Sequence, residues 1–162
     1  MIQIIISYKS IGIIHSPHKT LKGTPIQPKA AKDIEGTVEV FSEFVKGLKD
    51  IEGFSHIILL YHFHLVKNTT LLAKPFMDNE KHGIFAIRGP SRPNPIGISV
   101  VRLNEIYGNI LHVQDIDIVD KTPLLDIKPY VPEFDKKIDV RIGWLEKKIY
   151  KLPKSKNDGR FR

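Results

Sequence analysis

Residues 96–120 read IGISVVRLNEIYGNILHVQDIDIVD. Two alternating apolar/polar runs lie on either side of Tyr107-Gly108-Asn109. A period of two marks half-buried strands, and a Gly-Asn step between them marks the turn of a β-hairpin. The reading is a long strand over 96–108 followed by a second over 109–120, in an antiparallel sheet.

The segments before it carry the same signal. IGIIHSP (11–17) is a short β-rich run closed by proline, GTVEVF (36–41) alternates, and FSHIILLYHFH (54–64) has the near-continuous apolar character of a buried strand. GIFAIR (83–88) reads as another strand, residues 20–33 as a long loop with Gly23, Pro25 and Pro28, and 67–82 as an excursion loop. Two helices are predicted. One starts at Ser42 and runs to Leu48. The other spans 140–152, with Asp139 as its cap, Pro153 as its stop, and Val140, Trp144, Leu145, Ile149 and Leu152 on one face. Five or six short strands with two helices predict a mainly β fold, a single antiparallel β-barrel with a few short helices.

The chain has 162 residues, enough for one domain with its own core. It contains no cysteine, which excludes a disulfide framework, a thiolate nucleophile and a cysteine-based zinc site. No segment approaches the roughly 18 to 20 apolar residues of a membrane helix, and the N-terminus does not read as a secretion signal, so a cytoplasmic protein is expected. Net charge is +7, of which +5 falls in residues 146–162. Residues 1–152 are read as the barrel domain and 153–162 as a flexible basic tail, either a solubilising segment or an arm for a polyanion such as RNA.

Between the runs IFAI and ISVV lies RGPSRPNPIG, residues 88–97. Pro90, Pro93 and Pro95 fix φ at three positions and remove three N–H donors. Such a loop is stiff before a ligand arrives, which lowers the ordering cost of binding. Its carbonyls and the Asn94 amide are candidate hydrogen-bond acceptors, Arg88 and Arg92 can hold a carboxylate or phosphate, and Gly97 permits a close approach. A rigid crossover in a barrel is the alternative on composition alone. His62 and His64 share a strand face, but no third ligand is evident and no metal site is predicted. Asp115, Asp117 and Asp120 form a cluster of carboxylates with Asp126 nearby. Asp115 and Asp117 share a strand face that is either a solvated polar face or part of a functional cluster, and Asp120-Lys121-Thr122-Pro123 reads as a turn whose backbone N–H groups can face a ligand. No strand-to-helix GxGxxG and no GxSxG or P-loop motif is present.

Taken together, four blocks resemble the TrmO (TsaA-like, YaeB-like) family. GIFAIRGPSRPNPIGISVVRL resembles its RPNPIG signature, IGIIHSP its opening, LKDIEGFSHIILLYHFH its FSH strand, and DIVDKTPLLDIKPYVP its DGTP–LDIKPY block. The resemblance implies a S-adenosylmethionine-dependent methyltransferase on a β-barrel, acting as a homodimer with the cofactor near the subunit interface. It implies N6-methylation of threonylcarbamoyladenosine at position 37 of tRNA. By motif, the cofactor contacts fall on Pro25-Ile26-Gln27, His64-Leu65, Arg88, Ile98 and Asp120-Lys121-Thr122-Pro123. Arg92 and Asn94 of the proline loop are the candidate catalytic residues. Ile26 stands where the family has arginine, Lys121 where it has glycine and Gly89 where it has serine. The bacterial members' second domain has no counterpart in these blocks. A methyltransferase with another acceptor, or a nonenzymatic RNA-binding barrel, remains the alternative.

Overall fold

The computed structural model describes residue 2 and residues 4–161. Among the described residues eight strands form: β1 (Gly12–His15), β2 (Glu35–Val40), β3 (His56–His62), β4 (Leu72–Ala73), β5 (His82–Gly83), β6 (Ile96–Tyr107), β7 (Ile110–Gln114) and β8 (Thr122–Pro129). Six of them close into a barrel in the order β1-β2-β7-β6-β3-β8, and β4 and β5 pair separately. Every pairing is antiparallel. The expected hairpin is present: Tyr107 pairs with Ile110 across Gly108, whose φ of 60° suits glycine.

Alternation explains the core. Val101 and Leu103 of β6 point inward, as do Ile57, Leu59 and Tyr61 of β3, Leu111 and Val113 of β7, and Val38 and Val40 of β2. Ile14 and Leu124 complete the ring. Fully burying each aliphatic side chain contributes about 1.5–3 kcal/mol, and a closed barrel leaves no open sheet edge.

Several local expectations are corrected. The barrel's closing strand is β8, which pairs with both β1 and β3 and takes in Thr122-Pro123, expected from the sequence to lie in a turn. That turn is confined to Asp120-Lys121, with Lys121 at φ 63°. Residues 83–88 are not a barrel strand. After Gly83 the chain enters a 3-10 helix at Ile84–Ala86, and Ile84 packs with Ala73 and Phe161 in a second, smaller apolar cluster. The strand expected over 109–120 ends at Gln114, because Asp115 adopts φ 69°. Residues 116–118 are nevertheless buried, Ile116 and Ile118 in the core and Asp117 at 9% exposure.

Both predicted helices are 3-10 instead. Ser42–Leu48 is one, with no side-chain cap. Residues 140–152 hold two short ones, Gly143–Leu145 and Ile149–Lys154, broken where Gly143 takes φ 57°. Pro153 lies inside the second rather than stopping it, and of the expected apolar face only Leu152 is buried. The segment read as a flexible tail is placed against the loops. Pro25 bridges to Lys156, Asn157 exchanges backbone hydrogen bonds with Gly23 and Thr24, and Phe161 is 4% exposed against Phe76 and Ile84.

Candidate functional site

At one mouth of the barrel β3 ends while β6 and β8 begin. Loops 21–27 and 88–92 and the segment 117–119 surround this opening and enclose a cleft of about 210 Å³. Nine of the thirteen residues singled out from the sequence line it: Pro25, Ile26, Gln27, His64, Leu65, Arg88, Arg92, Ile98 and Thr122. They come from four separate stretches of chain, so the barrel closure itself assembles the site.

The other four lie elsewhere. Asp120 accepts hydrogen bonds from the Ser16 amide at 3.0 Å and from Lys19 Nζ at 2.8 Å, which ties the β8 turn to the end of β1. These contacts, with His15 nearby, hold its carboxyl below the usual carboxylate range despite the opposing effect of burial. Lys121 is exposed, and Pro123 pairs with Ile13 in the barrel wall. Asn94 is exposed on the proline loop, and its carbonyl accepts from the Ile96 amide at 2.7 Å.

The proline loop differs from expectation in how its carbonyls are used. Those of Pro90, Ser91, Asn94 and Pro95 accept backbone hydrogen bonds from Arg92, Thr70, Ile96 and Phe63, at 2.7–3.0 Å. Arg92 Nη1 donates to the Ile87 and Gly89 carbonyls at 3.0 and 3.3 Å. The loop is rigid because it is internally bonded as well as proline-rich, and Arg92 holds it shut while lining the cleft. Arg88, by contrast, is exposed at the mouth and its Nη1 reaches Gln27 Oε1 at 3.4 Å.

His64 is half-buried. The Thr122 hydroxyl donates to the Val119 carbonyl at 2.6 Å, so its oxygen is left to accept from His64 Nδ1–H at 3.3 Å. Partial burial and the neighbouring His62 push His64 below the usual histidine range. It is therefore neutral at pH 7, with Nε2 as an acceptor. Among the described residues, no group of three or more His, Cys, Asp or Glu is placed to hold a metal ion.

The sequence reading missed the cleft floor. Tyr61 Oη lies 3.0 Å from Ser99 Oγ, and Ser99 Oγ donates to Asp117 Oδ1 at 2.6 Å. All three residues are buried. Burial pushes the Asp117 carboxyl up to about 7, opposed by the Ser99 hydrogen bond, its own backbone amide and the Arg88 guanidinium. Tyr61 is raised well above its ordinary value, first by burial and then by Asp117. A signal existed: Ser99 occupies an inward position of β6, and Asp117 stands between two isoleucines.

The family profile for the tRNA-methyltransferase O N-terminal domain matches residues 13–136. A "Probable S-adenosyl-L-methionine-binding protein" of Pyrococcus abyssi is 66% identical over 161 residues, 99% of this chain and 88% of its own length. The tRNA (adenine(37)-N6)-methyltransferase of Escherichia coli is 35% identical over 135 residues, 77% of this chain and 57% of that enzyme. A crystal structure of TrmO from Pseudomonas aeruginosa aligns at a TM-score of 0.73 and 38% identity, covering 87% of this chain and 63% of that one. The chain thus spans only part of the Escherichia coli and Pseudomonas relatives. A match running from β1 to beyond β8, together with the same barrel in a solved relative, establishes that the chain belongs to the tRNA-methyltransferase O family.

Proposed function

We propose that this protein is a S-adenosylmethionine-dependent tRNA methyltransferase, and that it methylates N6 of threonylcarbamoyladenosine at position 37. The observation that carries the reading is the convergence of Pro25-Ile26-Gln27, His64-Leu65, Arg88, Ile98 and Thr122 on one cleft. Names of the relatives add support: one is called a S-adenosyl-L-methionine-binding protein and another a tRNA (adenine(37)-N6)-methyltransferase.

The donor set fits the cofactor. Arg88 supplies a cation for its carboxylate, and charge-assisted pairs of this kind are the strong ones. Leu21, Ile26, Phe63 and Ile98 supply apolar wall for an adenine ring, and His64 Nε2 supplies an acceptor. Asp117 adds a carboxyl that favours a cation in the cleft. When bound, S-adenosylmethionine supplies a methyl group on a positively charged sulfur. The chain's own part is to place the acceptor and exclude water, and a rigid loop suits that task because positioning alone can account for a large share of a methyl-transfer rate. Ile26 in place of arginine makes Arg88 the principal cation of the cleft, with Arg92 engaged by loop carbonyls. Asn94, exposed beside the mouth, is assigned to orient the acceptor amine.

Exposed Phe134, Ile138, Val140, Ile142 and Tyr150 support a homodimer, since so much apolar surface on one segment suits burial against a second copy. Among the described residues, no helix is long and apolar enough to cross a membrane; a cytoplasmic location is part of the proposal.

A different acceptor on the same barrel is the second reading. It is favoured by the archaeal relatives that are named for cofactor binding alone. Calorimetry with S-adenosylmethionine, followed by methyl transfer to tRNA with and without threonylcarbamoyladenosine, separates the two. The proposal expects cofactor binding and transfer to the modified tRNA only. Binding without transfer to either tRNA overturns the tRNA assignment and leaves the second reading.

A further inference from the structure

We infer that Asp117 is the proton acceptor of this cleft, with Ser99 and Tyr61 as its positioning residues. The inference rests on the methyltransferase reading above and adds a chemical role that the cofactor contacts do not supply. In methyl transfer to an N–H nitrogen, the N–C bond forms as the methyl–sulfur bond breaks, its electron pair going to sulfur to leave a neutral thioether, and the proton must leave the nitrogen. The N–H bond breaks, its electron pair stays with nitrogen, and an O–H bond forms on the Asp117 carboxylate; the proton then passes to solvent through the open cleft.

Geometry supports this assignment. Ser99 has one hydroxyl proton and directs it to Asp117 at 2.6 Å, so Tyr61 must donate to Ser99 at 3.0 Å. Two donors in series fix one carboxylate oxygen. Gly97 allows the Tyr61 ring to lie against β6, which sets the whole chain of bonds below the mouth. Asp117 lines the cleft together with Arg88, Phe63 and Ile98. Asp120, three residues on, offers the contrast: both its oxygens are occupied by Ser16 and Lys19, and it lies outside the cleft.

The surrounding charges are consistent with the role. Tyr61 from β3 and Arg88 from the proline loop act on Asp117 electrostatically, His64 and Arg92 line the same cleft, and His18 lies outside it, its Nε2 2.9 Å from the carbonyl of the neighbouring Ile116. Burial keeps the carboxyl basic enough to exchange a proton near neutrality, its value being pushed up to about 7. A positioned base of this strength contributes on the order of 10²–10⁴-fold to a rate.

The test uses the full chain and two readouts. Calorimetry at pH 7 in two buffers of different ionisation enthalpy counts the protons released when S-adenosylmethionine or S-adenosylhomocysteine binds. A cation next to a half-protonated carboxyl expels up to about half a proton, whereas the neutral thioether expels less. We expect that difference in the parent and none in Asp117→Asn. In single turnover with threonylcarbamoyladenosine-containing tRNA, Asp117→Asn should slow transfer by about 10²–10⁴-fold, with S-adenosylhomocysteine affinity within about threefold of the parent. Ser99→Ala should shift the pH–rate limb upward and retain its plateau. Equal proton counts in parent and Asp117→Asn, or a parental rate in that variant, overturns the assignment while the methyltransferase reading stands. If neither cofactor form binds, both fall.

Discussion

A β-carbon placed on Gly97 would lie 2.2 Å from Cε2 of Tyr61, and 2.9 Å from Cζ of Phe63. The glycine of the RPNPIG block is thus a packing requirement: it lets an aromatic ring lie flat against the first turn of the barrel wall. Tyr61 cannot easily yield, because it is 5% exposed and its hydroxyl is bonded to Ser99. Gly97→Ala should therefore destabilise the protein by about 1–3 kcal/mol through overpacking. Thermal unfolding measures it. The double variant Gly97→Ala/Tyr61→Leu should lose less than the sum of the two single changes, since the clash is shared. An unchanged midpoint in Gly97→Ala would show that the ring moves freely.

Arg88 is the cation assigned to the cofactor carboxylate. Arg88→Ala should weaken S-adenosylmethionine binding by about ten- to hundredfold, the worth of a charge-assisted hydrogen bond of about 1.5–3 kcal/mol. Asn94→Ala should do the reverse, with slower transfer at saturating cofactor and nearly parental cofactor affinity. Calorimetry paired with single-turnover kinetics distinguishes them. Equal cofactor affinity in a folded Arg88→Ala protein rejects the pairing, and a parental rate in Asn94→Ala rejects the acceptor role.

Lys121 occupies a left-handed conformation, φ 63°, at the turn into β8. A side chain there costs about 1 kcal/mol relative to glycine. Lys121→Gly should raise the unfolding midpoint by a few degrees, because the relieved strain exceeds the entropy gained by the unfolded chain. The lysine is exposed and outside the cleft, so cofactor affinity should not change. A lower midpoint would show that the lysine makes a stabilising contact in solution.

Asp117 also predicts a pH dependence of stability. Its folded value is raised, so the native state binds a proton that the unfolded chain has released. The contribution to stability is present in full below the unfolded value of about 3.9 and is lost as pH rises through about 7. Asp117→Asn removes this loss. The variant's midpoint minus the parent's should therefore increase between pH 4 and pH 8 in ligand-free protein. A difference that stays flat across that range means the carboxyl ionises normally.

These residues show how far the sequence could be read. The barrel was legible because period-two alternation is a local property: Val101 and Leu103, Leu111 and Val113 announce an inward face wherever their strands pair. β8 was hidden because Thr122-Pro123 looks like a turn, and proline is accepted there as the partner of Ile13 near a strand end. The expected helix over 140–152 failed because the 3.6-residue spacing of its apolar residues took no account of Gly143. The cleft-lining residues Pro25, Ile26, Gln27, His64, Leu65, Arg88 and Ile98 were reachable through their motifs. Asp117 was only hinted at by its place between Ile116 and Ile118, since where 116–119 crosses the mouth is settled by barrel closure.

The C-terminal segment tests packing against charge. Phe161 meets Phe76 edge-on, with ring centroids 5.1 Å apart, and its ring lies about 3.0 Å from where a β-carbon on Gly89 would be. Arg160 Nη1 donates to the Pro75 carbonyl at 2.7 Å. The segment therefore braces the proline loop from behind, next to Arg88. Phe161→Ala should cost about 3 kcal/mol or somewhat less, given the small size of this cluster, and loosen the loop enough to weaken cofactor binding. Replacing Lys154 and Lys156 by glutamine removes two charges at exposed positions. That change should leave the unfolding midpoint and cofactor affinity close to parental, while reducing tRNA affinity and flattening its dependence on salt. If Phe161→Ala leaves both stability and cofactor affinity unchanged, the bracing role is wrong and only the electrostatic one survives. If the glutamine variant binds tRNA with the parental salt slope, the electrostatic role is wrong instead.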